Sequence, residues 1–182
     1  MSAIMVNWLL IFSLLFLGRD SMKAQLTTSI VSLLLCLSVP IGAAETSSPT
    51  FQVTQRSELT WTPVPDGLGA EFAVLRGNPA ESGVYVIRVR FPAGVMDTPH
   101  FHSQDRHVTV IEGSWYAGIG DVFDPTTAKE ITAGGYMFHP AGAAHWDGAR
   151  GDSDAVVQII GNGPVSSEQS NSGEAMWVRV HE

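Results

Sequence analysis

Short apolar stretches, each ended by a turn, fill most of this chain beyond residue 58. Glycine- and proline-rich turns such as Gly77-Asn78-Pro79 and Gly161-Asn162-Gly163-Pro164 separate them, and no window keeps a helical period. Many short strands joined by tight turns predict an all-β fold, an antiparallel sandwich or barrel whose closure protects the strand edges. The predicted strands are residues 70–75, 84–91, 108–111, 115–119, 136–139, 156–160 and 176–180.

Residues 1–44 differ in kind from the rest, because they are nearly uncharged and rich in leucine, isoleucine and serine. They hold two apolar runs, and the second has the parts of a signal peptide: Lys23, an apolar stretch, and small residues ending at Ala44. Synthesis that begins at Met22 would omit the first run. Neither run reaches the ~18 to 20 apolar residues of a spanning helix. We therefore expect a cleaved signal and a periplasmic or secreted protein, with a membrane-anchored form as the alternative.

The rest of the chain is long enough for one domain, expected at residues 59–182 after a flexible segment at 45–58. The formal net charge of −8 disfavours nucleic acid as a partner. The only cysteine, Cys36, falls in the predicted signal peptide. The mature chain would therefore contain no disulfide, thiolate metal ligand or cysteine nucleophile.

Histidines are concentrated in one part of the chain, with five of six between residues 100 and 145. His100 and His102 are two positions apart, so in an extended segment both rings project from the same side. His107 follows closely, and His145 comes just after a tight turn. Imidazoles without thiolates suit a divalent transition metal, Zn or Fe first and Ni, Cu or Mn otherwise. A lone histidine would be better explained as an exposed or hydrogen-bonded residue, but this concentration favours a metal site.

Two motifs resemble those of the cupin superfamily: Gly94-x5-His100-x-His102 followed by Gly113, and Gly134-x5-Pro140-x-Gly142-x2-His145. With their flanks they cover residues 60–165. The resemblance implies an antiparallel double-sheet cupin barrel, also called a jelly roll, with a metal inside. The chain is similar to the small zinc-binding cupin domains attached to anti-sigma factors. By the same resemblance we expect a homodimer.

The chain departs from the cupin pattern at the third ligand, usually a glutamate that three or four residues separate from the histidine pair. Arg106 and His107 occupy those positions. Counting back from Gly113 places Arg106 inward, but a guanidinium has no lone pair for a metal. His107 would face inward only if a β-bulge between Arg106 and Val108 reversed the alternation. We favour that bulge.

The resulting expected metal ligands are His100, His102, His107 and His145, with Gln104 as the rival fourth ligand. Arg106 and Gln104 are the candidate catalytic residues, since either could position a substrate, and Arg106 could receive a carboxylate or lie at the surface. Asp105 and Asp147 could act as general bases, orient ligand imidazoles, or simply be turn residues. His139, just before Pro140, is not counted as a ligand.

A set of neutral ligands would leave the ion's charge in the cavity, which favours an anionic molecule there. Histidine-rich cupins include oxygenases, lyases, cyclases and isomerases, so the resemblance implies a metal-dependent enzyme acting on a small anionic organic substrate. The alternative is a cupin that binds or senses a metal or small molecule without turnover. A barrel with no functional metal is the third reading.

Overall fold

The structure, a computed structural model, describes residues 50–180. The predicted signal peptide and the first residues of the predicted flexible segment lie outside this range. The described residues form two short 3₁₀ helices, η1 (Arg56–Glu58) and η2 (Pro125–Thr127), and the strands β1 (Thr62–Pro63), β2 (Glu71–Arg76), β3 (Gly83–Phe91), β4 (Val95–Asp97), β5 (His100–His102), β6 (Arg106–Glu112), β7 (Ser114–Ile119), β8 (Lys129–Thr132), β9 (Tyr136–His139), β10 (His145–Ala149), β11 (Ala155–Gly163), β12 (Ser167–Gln169) and β13 (Trp177–Arg179). No helix within residues 50–180 is long and apolar enough to cross a membrane.

The strands pair into two sheets. Sheet one has the order β1-β2-β3-β11-β6-β9, and sheet two has the order β12-β5-β10-β4-β13, with β7 joining β10 to β8. Every pairing is antiparallel. The predicted all-β, antiparallel double-sheet architecture is confirmed, and each of the seven predicted stretches overlaps a strand.

The core lies between the inner faces of the two sheets. In β3 the alternation carries Tyr85 and Phe91 into the core and leaves Arg88 and Arg90 on the other face. Arg90 there pairs with Glu71 at 2.6 Å. Burying one large apolar side chain contributes about 1.5–3 kcal/mol, so this layer supplies most of the stabilisation. Other core members are Val108, Val110, Trp115, Val157 and Ile159.

Two glycines are required by the backbone around the site. Gly113, the last residue of the first motif, has φ +71° in the β6–β7 turn, and a Cβ there would lie 2.2 Å from the carbonyl oxygen of Asp154. Gly148 has φ +152°, and its Cβ would lie 2.4 Å from the carbonyl oxygen of Val95. Only glycine allows these approaches, and the second lets β10 lie against β4.

Candidate functional site

The two sheets enclose a cavity of about 300 Å³, the lower end of the size range of small-molecule sites. Its walls are mainly apolar and include Phe72, Ile87, Val89 and Trp177. Polar side chains enter from both sheets: Arg106 and His139 from sheet one, and Asp97, His100, His102 and Asp147 from sheet two. The cavity therefore combines an apolar wall with one compact polar cluster.

Strand pairing brings the histidines of the two sequence motifs together. His145 of β10 lies directly opposite His100 of β5, and His102 follows two residues along the same strand. The ring centroids are 4.4 Å apart for His100 and His145, 4.8 Å for His100 and His102, and 5.1 Å for His102 and His145. One nitrogen from each ring lies within 4.8 Å of the others, and all three residues are buried. This cluster can hold one metal ion.

Backbone carbonyls fix the orientation of two of these rings. Nδ1 of His100 donates to the carbonyl of Thr98 at 2.8 Å, and Nδ1 of His145 donates to the carbonyl of Ala143 at 3.0 Å. Each ring then keeps its Nε2 lone pair for a ligand. A histidine that ligates a metal commonly donates its other nitrogen in this way. Nε2 of His145 is buried without a hydrogen-bond partner, as expected of a donor atom prepared for a ligand.

His102 differs, because both of its ring nitrogens have partners. Nδ1 contacts Oγ of Ser167, the residue opposite it on β12, at 2.8 Å. Nε2 accepts a hydrogen bond from Nη1 of Arg106. The lone pair that a metal would use is therefore engaged by a guanidinium.

Arg106 faces the cavity because the bulge expected between Arg106 and Val108 is absent: these residues pair in unbroken register with β9. The irregularity lies at the other end of β6, where Val156 and Val157 of β11 pair with Glu112 and Val110 and leave Ile111 as the extra residue. The ordinary alternation therefore holds, with Arg106 inward and His107 outward.

The structure places His107 and Gln104 away from the cavity. The ring of His107 is exposed, contacts the hydroxyl of Tyr136 at 2.7 Å and packs against Phe138. Gln104 is exposed in the turn between β5 and β6, and neither residue lines the cavity. Asp105, in the same turn, accepts a hydrogen bond from the backbone N–H of Ala141 at 2.8 Å and so ties this turn to the second motif.

His139 joins the cluster although the sequence analysis did not count it. It lies opposite Arg106 across the β6–β9 pair and is only 3% exposed. Its ring centroid is 3.8 Å from that of His145, and neither of its nitrogens has a hydrogen-bond partner. The alternation along β9 was the available signal, because His139 shares its face with Met137, which packs against the core.

Two carboxyl groups lie beside the histidines. Oδ1 of Asp97 accepts the backbone N–H of Asp147 at 2.8 Å, and Oδ1 of Asp147 accepts Nε1 of Trp115 at 3.0 Å. Their second oxygens are 3.7 Å from Nε2 of His100 and 3.8 Å from Nε2 of His145, respectively. Asp97 carries no motif signal, which is why the sequence did not point to it.

Burial controls the protonation of the whole cluster. Desolvation lowers the pKa of His145 to about 3 and also lowers the pKa values of His100, His102 and His139. These imidazoles are neutral at pH 7, the form that ligates metals. Desolvation likewise raises the pKa values of Asp97 and Asp147 to about 8, so without a bound cation both carboxyls are largely protonated at neutral pH.

The comparison with protein families decides the classification. The family model described as ChrR cupin-like domain matches residues 50–166. The chain belongs to this cupin family. No curated protein matches it.

Solved structures show the same cupin fold. The polyketide cyclase RemF from Streptomyces resistomycificus superposes with a TM-score of 0.58 at 16% identity, over 69% of this chain and 89% of that one. A sugar phosphate isomerase of the cupin superfamily from Silicibacter pomeroyi superposes with a TM-score of 0.53 at 18% identity, over 70% of this chain and 92% of that one. The DMSP lyase DddQ from Ruegeria pomeroyi superposes with a TM-score of 0.53 at 15% identity, over 65% of this chain and 64% of that one. At such identities the likeness extends to the fold alone.

This cupin thus keeps the three motif histidines together but replaces the usual glutamate by Arg106. The donor atoms lie in three overlapping sets, each within 4.8 Å: His100, His102 and His145; His139, His145 and Asp147; Asp97, His100 and Asp147. Four buried imidazoles and two buried carboxyls that lie close together suit a transition metal. The residues present therefore fit the ion that the fold family implies.

Proposed function

We propose that this cupin is a metal-dependent enzyme that acts on a small organic anion. The observation that carries the proposal is the buried Nε2 of His145, which has no hydrogen-bond partner and lies in the polar cluster beside three further neutral imidazoles. His145 belongs to both of the candidate sets that contain at least two histidines, so it is the ligand on which the proposal depends. When bound, the ion would lower the pKa of a water molecule or polarise a carbonyl oxygen.

Arg106 supports the anionic character of the substrate. Its Nε is buried without a partner, and the nearby carboxyls of Asp97 and Asp147 are largely protonated at neutral pH. A buried cation without a counter-ion is costly. A carboxylate of the substrate would supply the missing charge and accept hydrogen bonds from the guanidinium. The apolar walls would bind the hydrocarbon part and exclude water.

Metal content tests the proposal first. Protein purified without an affinity tag should carry about one transition-metal ion per chain, measured by elemental mass spectrometry. His145→Ala should lose the ion, whereas His107→Ala should retain it, because His107 lies outside the cavity. Wild-type protein that binds no transition metal at micromolar concentration would contradict the proposal.

Turnover tests the enzymatic part. The metal-loaded protein should convert at least one member of a panel of small carboxylates, followed by liquid chromatography and mass spectrometry. Arg106→Gln should raise KM for that substrate, because it removes the positive charge that receives the carboxylate. Conversion that persists in His145→Ala would show that the metal is not required.

Ligand sensing without turnover is the second candidate, and the match to the ChrR cupin-like domain favours it. In that case the protein would bind metal stoichiometrically, convert no member of the panel, and recover a stoichiometric protein partner from its native extract. Metal binding without turnover and without a partner would support neither reading.

We also propose that residues 1–44 are a cleaved export signal and that the mature protein forms a homodimer. Both rest on the sequence analysis. The mass of the protein recovered from the periplasmic fraction should correspond to a chain that begins at Glu45, and light scattering should give twice that mass. Recovery of the uncleaved chain in the membrane fraction would favour the anchored form.

A further inference from the structure

Side-chain atoms of His139, His145 and Asp147 that could ligate a metal converge on one side of the histidine cluster. Neither nitrogen of His139 has a hydrogen-bond partner, and Nε2 of His145 has none either. Oδ2 of Asp147 lies 3.8 Å from that Nε2, while its other oxygen is held by Trp115. All three residues are buried, with donor atoms within 4.8 Å of one another. Buried polar atoms are rarely left unpaired unless a ligand completes them.

On the other side of the cluster, His102 is already hydrogen-bonded to Arg106. Nη1 of Arg106 donates to the Nε2 lone pair that a metal would need. Ligation by His102 would therefore require this hydrogen bond to break, and it would place a divalent cation beside a buried guanidinium. Like charges so close repel strongly in a cavity of low polarity. A set that includes a carboxylate avoids His102 and offsets part of the positive charge.

We propose that the ion is ligated by His139, His145 and Asp147, and that His102 instead positions Arg106 for the substrate. This inference rests on the proposed function, since it names the ligands of the same metal centre. With this ligand set the ion would lie nearer to β9 than to the histidine pair His100 and His102 of the first motif. Two imidazoles with one carboxylate is the donor set associated with non-haem iron(II), so iron becomes the expected native metal.

Trp115 positions both of the non-motif ligands. Its Nε1 donates to Asp147 at 3.0 Å, and its ring lies against that of His139 with centroids 5.9 Å apart and planes 25° apart. The third ligand, His145, is fixed by its own bond to the carbonyl of Ala143. Such supporting contacts hold ligand atoms in place before the ion arrives. The set is thus built into the folded core.

Cobalt(II) titration distinguishes this set from the motif set. Cobalt reports binding through its visible absorption, and the dissociation constant is measured for wild type, His139→Ala, His102→Ala and the surface control His107→Ala. We expect His139→Ala to weaken binding at least about tenfold, the loss of one good ligand interaction. His102→Ala should weaken it less than about threefold, and His107→Ala should leave it unchanged.

Asp147→Asn provides a second variant of nearly unchanged volume. Its amide oxygen can still accept the hydrogen bond of Trp115, but the charge is lost, so cobalt binding should weaken at least about tenfold in a protein with wild-type circular dichroism. Full cobalt affinity in Asp147→Asn or in His139→Ala would overturn the inference. Equal losses in His102→Ala and His139→Ala would overturn it too. Failure of the wild-type protein to bind any metal would instead contradict the proposed function itself.

Discussion

The protonated carboxyls of Asp97 and Asp147 predict an unusual dependence of stability on pH. Both are buried, 7% and 5% exposed, and desolvation raises the pKa of each from 3.8 to about 8. The folded chain therefore binds protons that the unfolded chain has already released above pH 4. Stability from this source is complete below the unfolded pKa and is lost as the pH rises through about 8.

The magnitude follows from the number of protons involved. One proton held in the folded state changes stability by about 1.4 kcal/mol per pH unit, and the slope halves at the pKa. Between about pH 6.5 and pH 8 the two carboxyls together should therefore remove about 3 kcal/mol of stability. The buried histidines act in the opposite direction, because with their lowered pKa values only the unfolded chain is protonated near pH 6.5; as it releases these protons up to pH 8, the four histidines should restore about 1.5 kcal/mol, which leaves a net loss of about 1.5 kcal/mol. The affected residues are His100, His102, His139 and His145.

Chemical denaturation of metal-free protein measures this effect. The free energy of unfolding from urea titrations in the presence of a chelator should fall between pH 6.5 and pH 8. The double variant Asp97→Asn/Asp147→Asn should instead gain about 1.5 kcal/mol over this window, since its amide oxygens can still accept the bonds from the backbone N–H of residue 147 and from Trp115 while only the histidine contribution remains. A free energy that stays constant or rises in wild type over this window would refute the reasoning, as would an unchanged slope in the double variant.

Further predictions concern packing and the outer histidine. Gly118→Ala should destabilise the fold by about 1–3 kcal/mol, because its Cβ would lie 2.0 Å from Cζ2 of Trp146; Gly151→Ala, which meets nothing within 4 Å, is the matched control in the same thermal melts. Trp115→Phe should weaken cobalt binding about tenfold, the usual cost of losing a bond that orients a ligand; unchanged cobalt affinity would show that Trp115 does not position the ligands. His107→Ala should change the unfolding free energy by less than about 0.5 kcal/mol, because the side chain is exposed.

Much of the fold could be predicted from local pattern. Strands with clear alternation, such as β3 and β11, were found because one face is buried and the other is not. The short strands β5 and β10 carry the motif histidines but have little apolar alternation; β10 is buried throughout. Their existence depends on pairing with strands that are distant in the sequence, β10 with β7 and β4, and β5 with β12, which a linear pattern does not contain.

The candidate site, like the fold, could be predicted from the sequence only in part. The motif residues His100, His102 and His145 could be selected by spacing, and the structure brings them within 5.1 Å between ring centroids. The orientation of His107 depended on where β6 is irregular, and the sequence contains no energetic reason for choosing between a bulge beside His107 and one at Ile111 near the other end of the strand.

The sequence by itself determined a barrel of short antiparallel strands, the cupin motifs, and a supply of imidazoles without thiolates. Only the tertiary structure decided which side chains share the cavity. Register across β6 and β9 sets Arg106 opposite His139, and pairing of β10 with β4 brings Asp147 beside Asp97. Such neighbours come from distant parts of the chain, and their hydrogen bonds and lost hydration exist only once the sheets have closed around them.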